Sequence, residues 1–265
     1  YVLNQPYDLQ ELDTTSTLLN ELNSRGLHGL PGHYDGLDLK LYGGYGATTR
    51  GEGDHTLKLN GILRYHDGPF SFVNQTGVDR SFLYDIHYPG ELSEAENWIY
   101  GRVANAYFRY SGERIGAFIG RMQRNWGPLN EKSLILSDNP YSYDHANVSF
   151  TNSNIKVSVF AARINTLDSA YTYHFQDSSI SLTSNVKRYL TGHRLDIRAS
   201  ENMQISFTEM AIFGGPNRNY DLSFLVPTAF YYDIQRNTVR SMSGQWALDV
   251  YYRFDSNWAL SSQFL

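Results

Sequence analysis

The sequence contains no cysteine and has few charged residues. Without cysteine among its 265 residues, the chain forms no disulfide bonds. Charged residues make up 18% of the sequence, below the roughly 25% of an ordinary soluble domain. The formal net charge is −5, whereas nucleic-acid-binding domains carry basic surfaces. These features exclude a disulfide scaffold and argue against nucleic acid as a partner.

Long apolar runs and catalytic motifs are also missing. No segment approaches the ~20 apolar residues that a membrane-spanning helix needs, which excludes a helical membrane protein. The eight histidines show no metal-ligand spacing such as H-E-x-x-H, and no G-x-S-x-G nucleophile motif occurs. We therefore expect no metal, no cofactor and no enzymatic activity. Three Asp and His combinations remain as weak catalytic candidates: His33 with Asp35, Asp85 with His87, and Asp144 with His145.

The sequence is instead rich in aromatic residues, at 15%, and alternates apolar and polar residues from Asp35 onward. Strict alternation predicts strands with one apolar and one polar face. One exception is Glu209, which falls on the apolar face of its predicted strand. The clearest case is residues 245–254. The pattern predicts lipid contact for Trp246, Leu248, Val250, Tyr252 and Phe254, and lumen contact for Gln245, Asp249, Tyr251 and Arg253.

Strand length and connection length both favour a membrane barrel over a soluble sandwich. Several predicted strands are about 10–14 residues long, whereas globular proteins favour about 5–6 and a bilayer requires about 9–11. Short and long connections alternate, as they do in outer-membrane barrels. The short turns fall at 66–68, 111–113, 152–154, 200–202 and 255–257, and the longer links at 47–55, 77–96, 123–146, 165–189 and 214–239.

These patterns predict an all-β fold, an antiparallel transmembrane β-barrel of outer-membrane type formed by residues 35–265. Residues 1–34 are predicted to form a short N-terminal helical, periplasmic segment. About 11–12 strands are visible, at 35–46, 56–66, 69–76, 97–110, 114–122, 147–151, 155–164, 190–199, 203–213, 240–254 and 258–265.

An odd strand count has a consequence for closure of the barrel. With eleven strands the last would run parallel to the first, and bacterial single-chain barrels have even counts. We therefore expect this to be part of a larger barrel that continues past Leu265. The alternative is a twelfth strand hidden around 224–232.

One segment resembles a known family. Residues 120–140 read GRMQRNWGPLNEKSLILSDNP, similar to a segment of the capsule assembly Wzi family of outer-membrane barrels. The matching positions are Gly120, Arg121, Trp126, Gly127, Pro128, Ser133, Leu134, Leu136, Ser137 and Asn139. Four later segments, TGHRLDIRAS, QISFTEM, VPTAFYY and WALDVYYRFDSNWALSSQFL, extend the resemblance over roughly residues 95–265. It implies a barrel with a periplasmic helical N-terminus and a lectin-like, non-catalytic role in assembly or attachment of capsular polysaccharide.

Three groups of residues are candidates for binding a glycan. In the first, the indole of Trp126 could stack on a sugar while Arg121 and Arg124 bind acidic groups. The alternative is that this loop folds into the lumen with Trp126 as its packing anchor. The second group is Arg194, Asp196 and Arg198, and the third is Asp249, Tyr251 and Arg253. Their spacing of two predicts that each group lines the lumen, either for an anionic glycan or as an ion-pair ladder across strands.

Together these features predict an outer-membrane protein, surrounded by lipid, that binds or helps assemble a surface polysaccharide. The alternative is a porin-like diffusion channel, which needs the same polar lumen but an open one. The two functions differ in whether the long loops fill the lumen.

Overall fold

A computed structural model of the chain describes residues 36–47, 55–79, 101–127, 133–137, 141–175, 178–216, 218–237, 242–255 and 258–265. Within these ranges eleven strands form one antiparallel sheet, in which each strand pairs with its neighbours in sequence. They are β1 (Gly36–Ala47), β2 (His55–Asp67), β3 (Phe70–Asp79), β4 (Gly101–Ser111), β5 (Ile115–Met122), β6 (Tyr143–Asn152), β7 (Ile155–Phe175), β8 (Ser178–Arg198), β9 (Met203–Pro216), β10 (Met242–Arg253) and β11 (Ala259–Phe264).

Each of the eleven predicted strands has a counterpart in the structure. The predicted N-terminal helical segment, residues 1–34, lies outside the described residues. Four of the five short turns are confirmed at one end of the sheet, where Gly68 and Ser153 adopt φ angles of +53° and +43°; the fifth, 255–257, lies partly outside the described residues. Such left-handed conformations allow the tight reversal that a short hairpin connection requires.

One predicted connection and one alternative differ from the structure. The predicted long link 165–189 is wrong, because β7 and β8 extend through it as a hairpin that ends at the pair Phe175 and Ser178. Alternation does continue in this part of β8, where Ile180 and Leu182 alternate with Ser181 and Thr183. In β7 it is interrupted by a register shift between Ile164 and Leu167. The suggestion of a hidden strand around 224–232 is also wrong. That region contains a 3-10 helix (Leu222–Leu225) and a short helix α1 (Tyr231–Asn237).

One face of the sheet carries exposed apolar side chains and the other carries buried charged ones, the reverse of a soluble protein. Paired residues share a face, and Leu195, Phe207 and Leu248 form one row across β8, β9 and β10. These side chains are exposed, Leu248 by 42%. On the opposite face Arg194 and Asp249 are fully buried, at 0%. Apolar side chains outside and charged side chains inside are typical of a transmembrane β-barrel.

The same arrangement continues across the sheet and confirms the predicted faces of residues 245–254. We call the exposed apolar side the outer face and the opposite side the inner face. In β10, Trp246, Leu248 and Tyr252 are exposed on the outer face, and Asp249 is buried on the inner one. Other exposed apolar residues of the outer face include Leu37, Leu39, Phe72, Phe108, Ile119, Val148 and Phe150.

The first and last strands run in the same direction, as parity requires for eleven antiparallel neighbours. Within the described ranges β1 pairs with β2 and β11 pairs with β10. The expectation that the barrel has further strands therefore stays a prediction. None of the helices in the described ranges is long and apolar enough to cross a membrane.

Replacing Leu248 with Arg tests the assignment of the two faces. We expect a loss of about 2–4 kcal/mol in the free energy of unfolding, the cost of a cationic side chain near the bilayer midplane. The matched control is Gln245→Arg in the same strand, because Gln245 has inner-face parity and is exposed. Equilibrium unfolding of the protein in lipid vesicles measures both. Equal losses would show that the faces are misassigned.

Candidate functional site in the barrel interior

The chain that follows β5 folds onto the inner face of the sheet. We call residues 123–127 and 133–137 the inner loop. Its tryptophan, Trp126, is only 1% exposed and packs beside Phe160 of β7, with ring centroids 5.6 Å apart in an edge-to-face arrangement. Leu136, Ala162 and Met210 complete this apolar cluster. This packing is the arrangement expected for the second of the two roles considered from the sequence, in which Trp126 anchors the loop.

A glycine opposite the indole provides the space for it. Gly192 of β8 lies between Phe160 and Met210 in one inner-face row. A Cβ at this position would come within 3.0 Å of both Trp126 Cζ3 and Met210 Cγ. Such contacts are tighter than most Cβ contacts, so a larger residue at position 192 would require Trp126 or Met210 to shift.

Hydrogen bonds within the inner loop hold its two segments together. The backbone N–H of Trp126 donates to Leu136 O at 2.9 Å. The side-chain oxygen of Asn125 accepts from the N–H groups of Gly127 and Ser133, at 2.7 and 3.2 Å. A loop that satisfies its own buried backbone groups in this way can enter a lumen without leaving donors unpaired.

Arg194 of β8 joins the inner loop to the wall of the barrel. Its Nη1 donates to the carbonyl oxygen of Trp126 at 2.8 Å, and also to Thr208 and Asp249 at 3.0 and 2.5 Å. Its Nε donates to Asp196 at 2.8 Å. Arg194, Asp196 and Asp249 are all fully buried. One cation thus lies between two carboxylates, and charge-assisted hydrogen bonds of this kind are among the stronger ones in proteins.

Two further contacts attach the loop to other strands. The side chain of Gln263 in β11 accepts from Leu134 N and donates to Ser133 Oγ, the latter at 3.2 Å. On the other side, Arg124 Nε donates to His145 Nε2 at 3.1 Å, while His145 Nδ1 lies 3.0 Å from Tyr143 O. This geometry fits a neutral His145 that donates from Nδ1 and accepts at Nε2.

Arg124 remains protonated although it is buried. Burial lowers the pKa of Arg124 to about 10, so its guanidinium remains positively charged at neutral pH. Its hydrogen bond to His145 is therefore charge-assisted, and it contributes to the attachment of the loop at the β6 side.

The structure brings together five of the nine residues proposed from the sequence. Arg124, Trp126, Arg194, Asp196 and Asp249 meet around the inner loop, and each is buried. In this structure the five side chains contact one another and the inner loop, and their role in binding a glycan stays a prediction. The ion-pair arrangement across strands is the one the structure supports.

The other four residues lie elsewhere. Arg121 is on the outer face at the long-link end of β5 and donates two hydrogen bonds to Asp144, at 2.8 and 2.7 Å. It does not share a surface with Trp126. Arg198 is exposed at the short-turn end of β8, and Arg253 is exposed beside Asn202, with Nη2 3.2 Å from its side-chain oxygen. Tyr251 is half-buried on the inner face near the same end.

Sequence reasoning missed several members of the site. Gln263, Ser133, His145 and Gly192 carry contacts that were not anticipated. Gln263 was within reach of the argument, because it pairs with Asp249 in the register between β10 and β11 and so shares its face. The other three depend on how the inner loop folds, which alternation within strands does not indicate.

The catalytic candidates gain no support from the part of the chain that the structure describes. Asp144 and His145 are adjacent in β6, so their side chains point to opposite faces: Asp144 pairs with Arg121 outside and His145 is buried inside. The other two combinations, at 33–35 and 85–87, lie outside the described residues. Among those described, no three His, Cys, Asp or Glu residues are grouped to hold a metal ion.

The fold and this site define a β-barrel of outer-membrane type with a loop folded into its interior. Residues 53–261, more than half of the chain, match the family described as Capsule assembly protein Wzi. The chain therefore belongs to this family, which together with its exposed apolar outer face places it in the bacterial outer membrane.

Other comparisons add little. No curated protein matches the sequence. Among solved structures, the chain is similar to OmpT, an outer membrane protein of Vibrio cholerae, with 8% identity, a TM-score of 0.25 and coverage of 87% of this chain and 86% of that one. A loop L8 deletion mutant of OmpT gives 8% identity, a TM-score of 0.22, and coverage of 87% and 95%. With TM-scores this low, neither structure bears on the function of the chain.

Proposed function

We propose that this protein is a non-catalytic outer-membrane barrel that binds surface polysaccharide and holds it at the cell during capsule assembly. Membership of the capsule assembly family supports the polysaccharide role. The observation that carries the proposal is the filled inner face, where Trp126 of the inner loop and Arg194 of the wall are both buried and joined by a hydrogen bond. A barrel whose wall and loop are joined in this way is suited to presenting a binding surface.

A diffusion channel, the alternative from the sequence, requires an open lumen. The inner loop is attached to three separate strands through His145, Arg194 and Gln263. Each attachment uses a polar group that would otherwise face water in an open channel. This arrangement favours polysaccharide binding over diffusion.

Because the interior residues are buried, we propose that a glycan binds at the long-link end of the barrel. Of the residues proposed from the sequence, Arg121 is the one exposed at that end, with 38% of its side chain accessible. Its partner Asp144 is 64% accessible. Exposed ion pairs of this kind contribute little to stability, so the guanidinium can exchange Asp144 for the carboxylate of an acidic sugar. Arg121 is therefore our candidate contact for an anionic polysaccharide.

Retention of polysaccharide on cells tests this role. In a capsule-producing strain we expect Arg121→Ala to release more polysaccharide into the medium, with the protein still folded in the membrane. The matched control is Arg114→Ala, in the exposed turn at the opposite end of β5, which should retain polysaccharide normally. Equal retention by both variants would remove Arg121 from the site. Normal retention in a strain that lacks the protein would overturn the proposed function.

Single-channel recording in planar bilayers tests the alternative. We expect little current through the wild-type protein, because the inner loop occupies the lumen. Replacing residues 125–136 with a short Gly-Ser linker should increase the conductance. A wild-type conductance as large as that of the linker variant would favour the diffusion channel.

A further inference from the structure

The outer face contains a polar region where a membrane barrel should be apolar. In one row across β8, β9 and β10 stand His193, Glu209 and Trp246, and in the next row toward the long links stands Thr191. His193, Glu209 and Thr191 are buried. Unsatisfied polar groups in hydrocarbon cost several kcal/mol each, so something must cover them.

The covering element is residues 218–237, which we call the strap. It connects β9 to β10 and packs against the outer face, the side opposite the inner loop. Its Tyr231 donates a backbone N–H to Glu209 Oε1 at 3.0 Å, and the Tyr231 hydroxyl lies 3.2 Å from Thr191 Oγ1. The Tyr231 ring also contacts His193, with centroids 4.1 Å apart. The strap thus supplies hydrogen-bond partners to Glu209 and Thr191 and covers the ring of His193.

An apolar cluster fixes the strap in place. Phe224 and Tyr231 are fully buried between the strap and the sheet, at 0% and 1% exposed. Phe224 stacks on Phe213 of β9 with ring centroids 4.3 Å apart. Phe213 and Ala211 belong to the outer face of β9, and neighbouring Met210 belongs to the inner cluster. This part of the barrel wall is therefore covered on both sides.

The surface that the strap turns away from the barrel carries several large apolar side chains, with Asp233 and Arg236 of α1 as exposed charged residues. Its exposed residues include Leu222 at 72% and Phe230 at 56%, with Leu225, Val226 and Tyr232. This surface continues that of exposed Trp246, whose Nε1 donates to the same Glu209 oxygen at 2.8 Å. Trp246 in turn lies two residues from Leu248 on the same face. The strap surface and the outer face of the strands are thus one apolar surface.

We propose that the strap lies in the outer leaflet of the membrane, with its apolar surface against lipid acyl chains, and shields Thr191, His193 and Glu209 from hydrocarbon. About 9–11 residues of a tilted strand cross a bilayer. The short turn that follows Arg198 marks the periplasmic side, so the strap, which covers β8 from His193 to Tyr189, is at the depth of the outer leaflet.

Continuity with the strand surface identifies lipid as the partner. Leu195, Phe207 and Leu248 face lipid immediately beside the covered rows. In helix α1 of the strap, the guanidinium of Arg236 lies 5.1 Å from the ring centroid of Tyr232. Aromatic and basic residues are enriched where a protein crosses from acyl chains to headgroups.

The lack of native cysteine allows a direct test with single nitroxide labels. The full chain with Phe230→Cys is labelled and reconstituted in dioleoylphosphatidylcholine vesicles. Collision of the label with oxygen reports acyl chains, and collision with a water-soluble nickel chelate reports water. Leu248→Cys is the lipid reference, and Glu201→Cys, in an exposed short turn, is the water reference. We expect the Phe230 label to match Leu248, with high oxygen and low nickel collision rates.

Each other outcome overturns the proposal. A nickel collision rate like that of Glu201 would place the strap in water. Dipolar broadening between labels on two molecules would show that a second copy of the chain covers the surface. Leu222→Cys, on the same surface, gives an independent reading, and is used in place of Phe230→Cys if that variant does not fold. Folding is checked by the electrophoretic mobility of the unheated barrel.

Discussion

Replacing Arg194 with Ala is expected to lower the free energy of unfolding by about 3–5 kcal/mol, the usual cost of removing one partner from a buried ion pair. The substitution leaves Asp196 and Asp249 fully buried without their cation. It also removes the donor to the carbonyl oxygen of Trp126, which anchors the inner loop. Equilibrium unfolding by urea in lipid vesicles, followed by tryptophan fluorescence, measures the loss.

The same strand provides the control. Arg198 is exposed four residues away, and Arg198→Ala should cost less than about 1 kcal/mol, as exposed charges generally do. A further variant separates the charge from the packing. Replacing Arg194 with Met and both Asp196 and Asp249 with Asn removes all three charges together. It should recover part of the loss, because neutral groups carry a smaller burial penalty than unpaired charges. If Arg194→Ala and Arg198→Ala cost the same, the buried network does not stabilise the barrel.

The strands were predictable because the environment of each face determines which residue types alternate along the strand. Leu195 and Ile197 alternate with Arg194 and Asp196, and in a barrel this alternation follows directly from lipid on one side and lumen on the other. The extension of β7 and β8 to Phe175 and Ser178 was missed. The register shift between Ile164 and Leu167 interrupts the alternation of β7, although Ile180 and Leu182 of β8 still alternate with Ser181 and Thr183.

Burial within the lumen was not predictable, because it depends on a distant part of the chain. The alternation places Asp249 on the inner face, but it does not show that Asp249 binds Arg194 beneath the inner loop. From sequence alone, Asp249→Asn is expected to cost far less than Leu248→Arg, as a change at a hydrated lumen residue. The expectation of a small cost rests on a hydrated side chain, whereas Asp249 is fully buried and holds a charged partner, so we now expect a larger cost.

Glu209 shows the opposite case, in which an exception to the pattern was visible and its cause was not. A glutamate on the apolar face conflicts with lipid exposure. The strap resolves the conflict by covering the carboxylate with Tyr231. Residues 218–237 have no strand period that would reveal where they pack, so their position depended on the tertiary structure. A charged exception on a lipid-facing row therefore indicates a covering element elsewhere in the chain.

Replacing Trp126 with Ala separates the two roles considered for this residue. If Trp126 is a packing anchor in the inner cluster, its truncation should lower the free energy of unfolding by about 3–5 kcal/mol, the range for a buried aromatic residue. The cavity would open against Phe160 and Met210, and the free energy of unfolding can be followed by circular dichroism, since one fluorophore is removed. The control is Trp258→Ala, which changes an indole that is 72% exposed and should cost far less.

Polysaccharide retention measured on the same two variants completes the test. If Trp126 acts by packing, cells carrying Trp126→Ala should lose retention only to the extent that they lose folded barrel. A variant that stays as stable as Trp258→Ala but no longer retains polysaccharide would instead show that the indole stacks on sugar, and that the inner loop leaves the lumen to bind it. If both stability and retention were unchanged, Trp126 would have neither role. We expect the first result, because 1% exposure leaves the ring no free face.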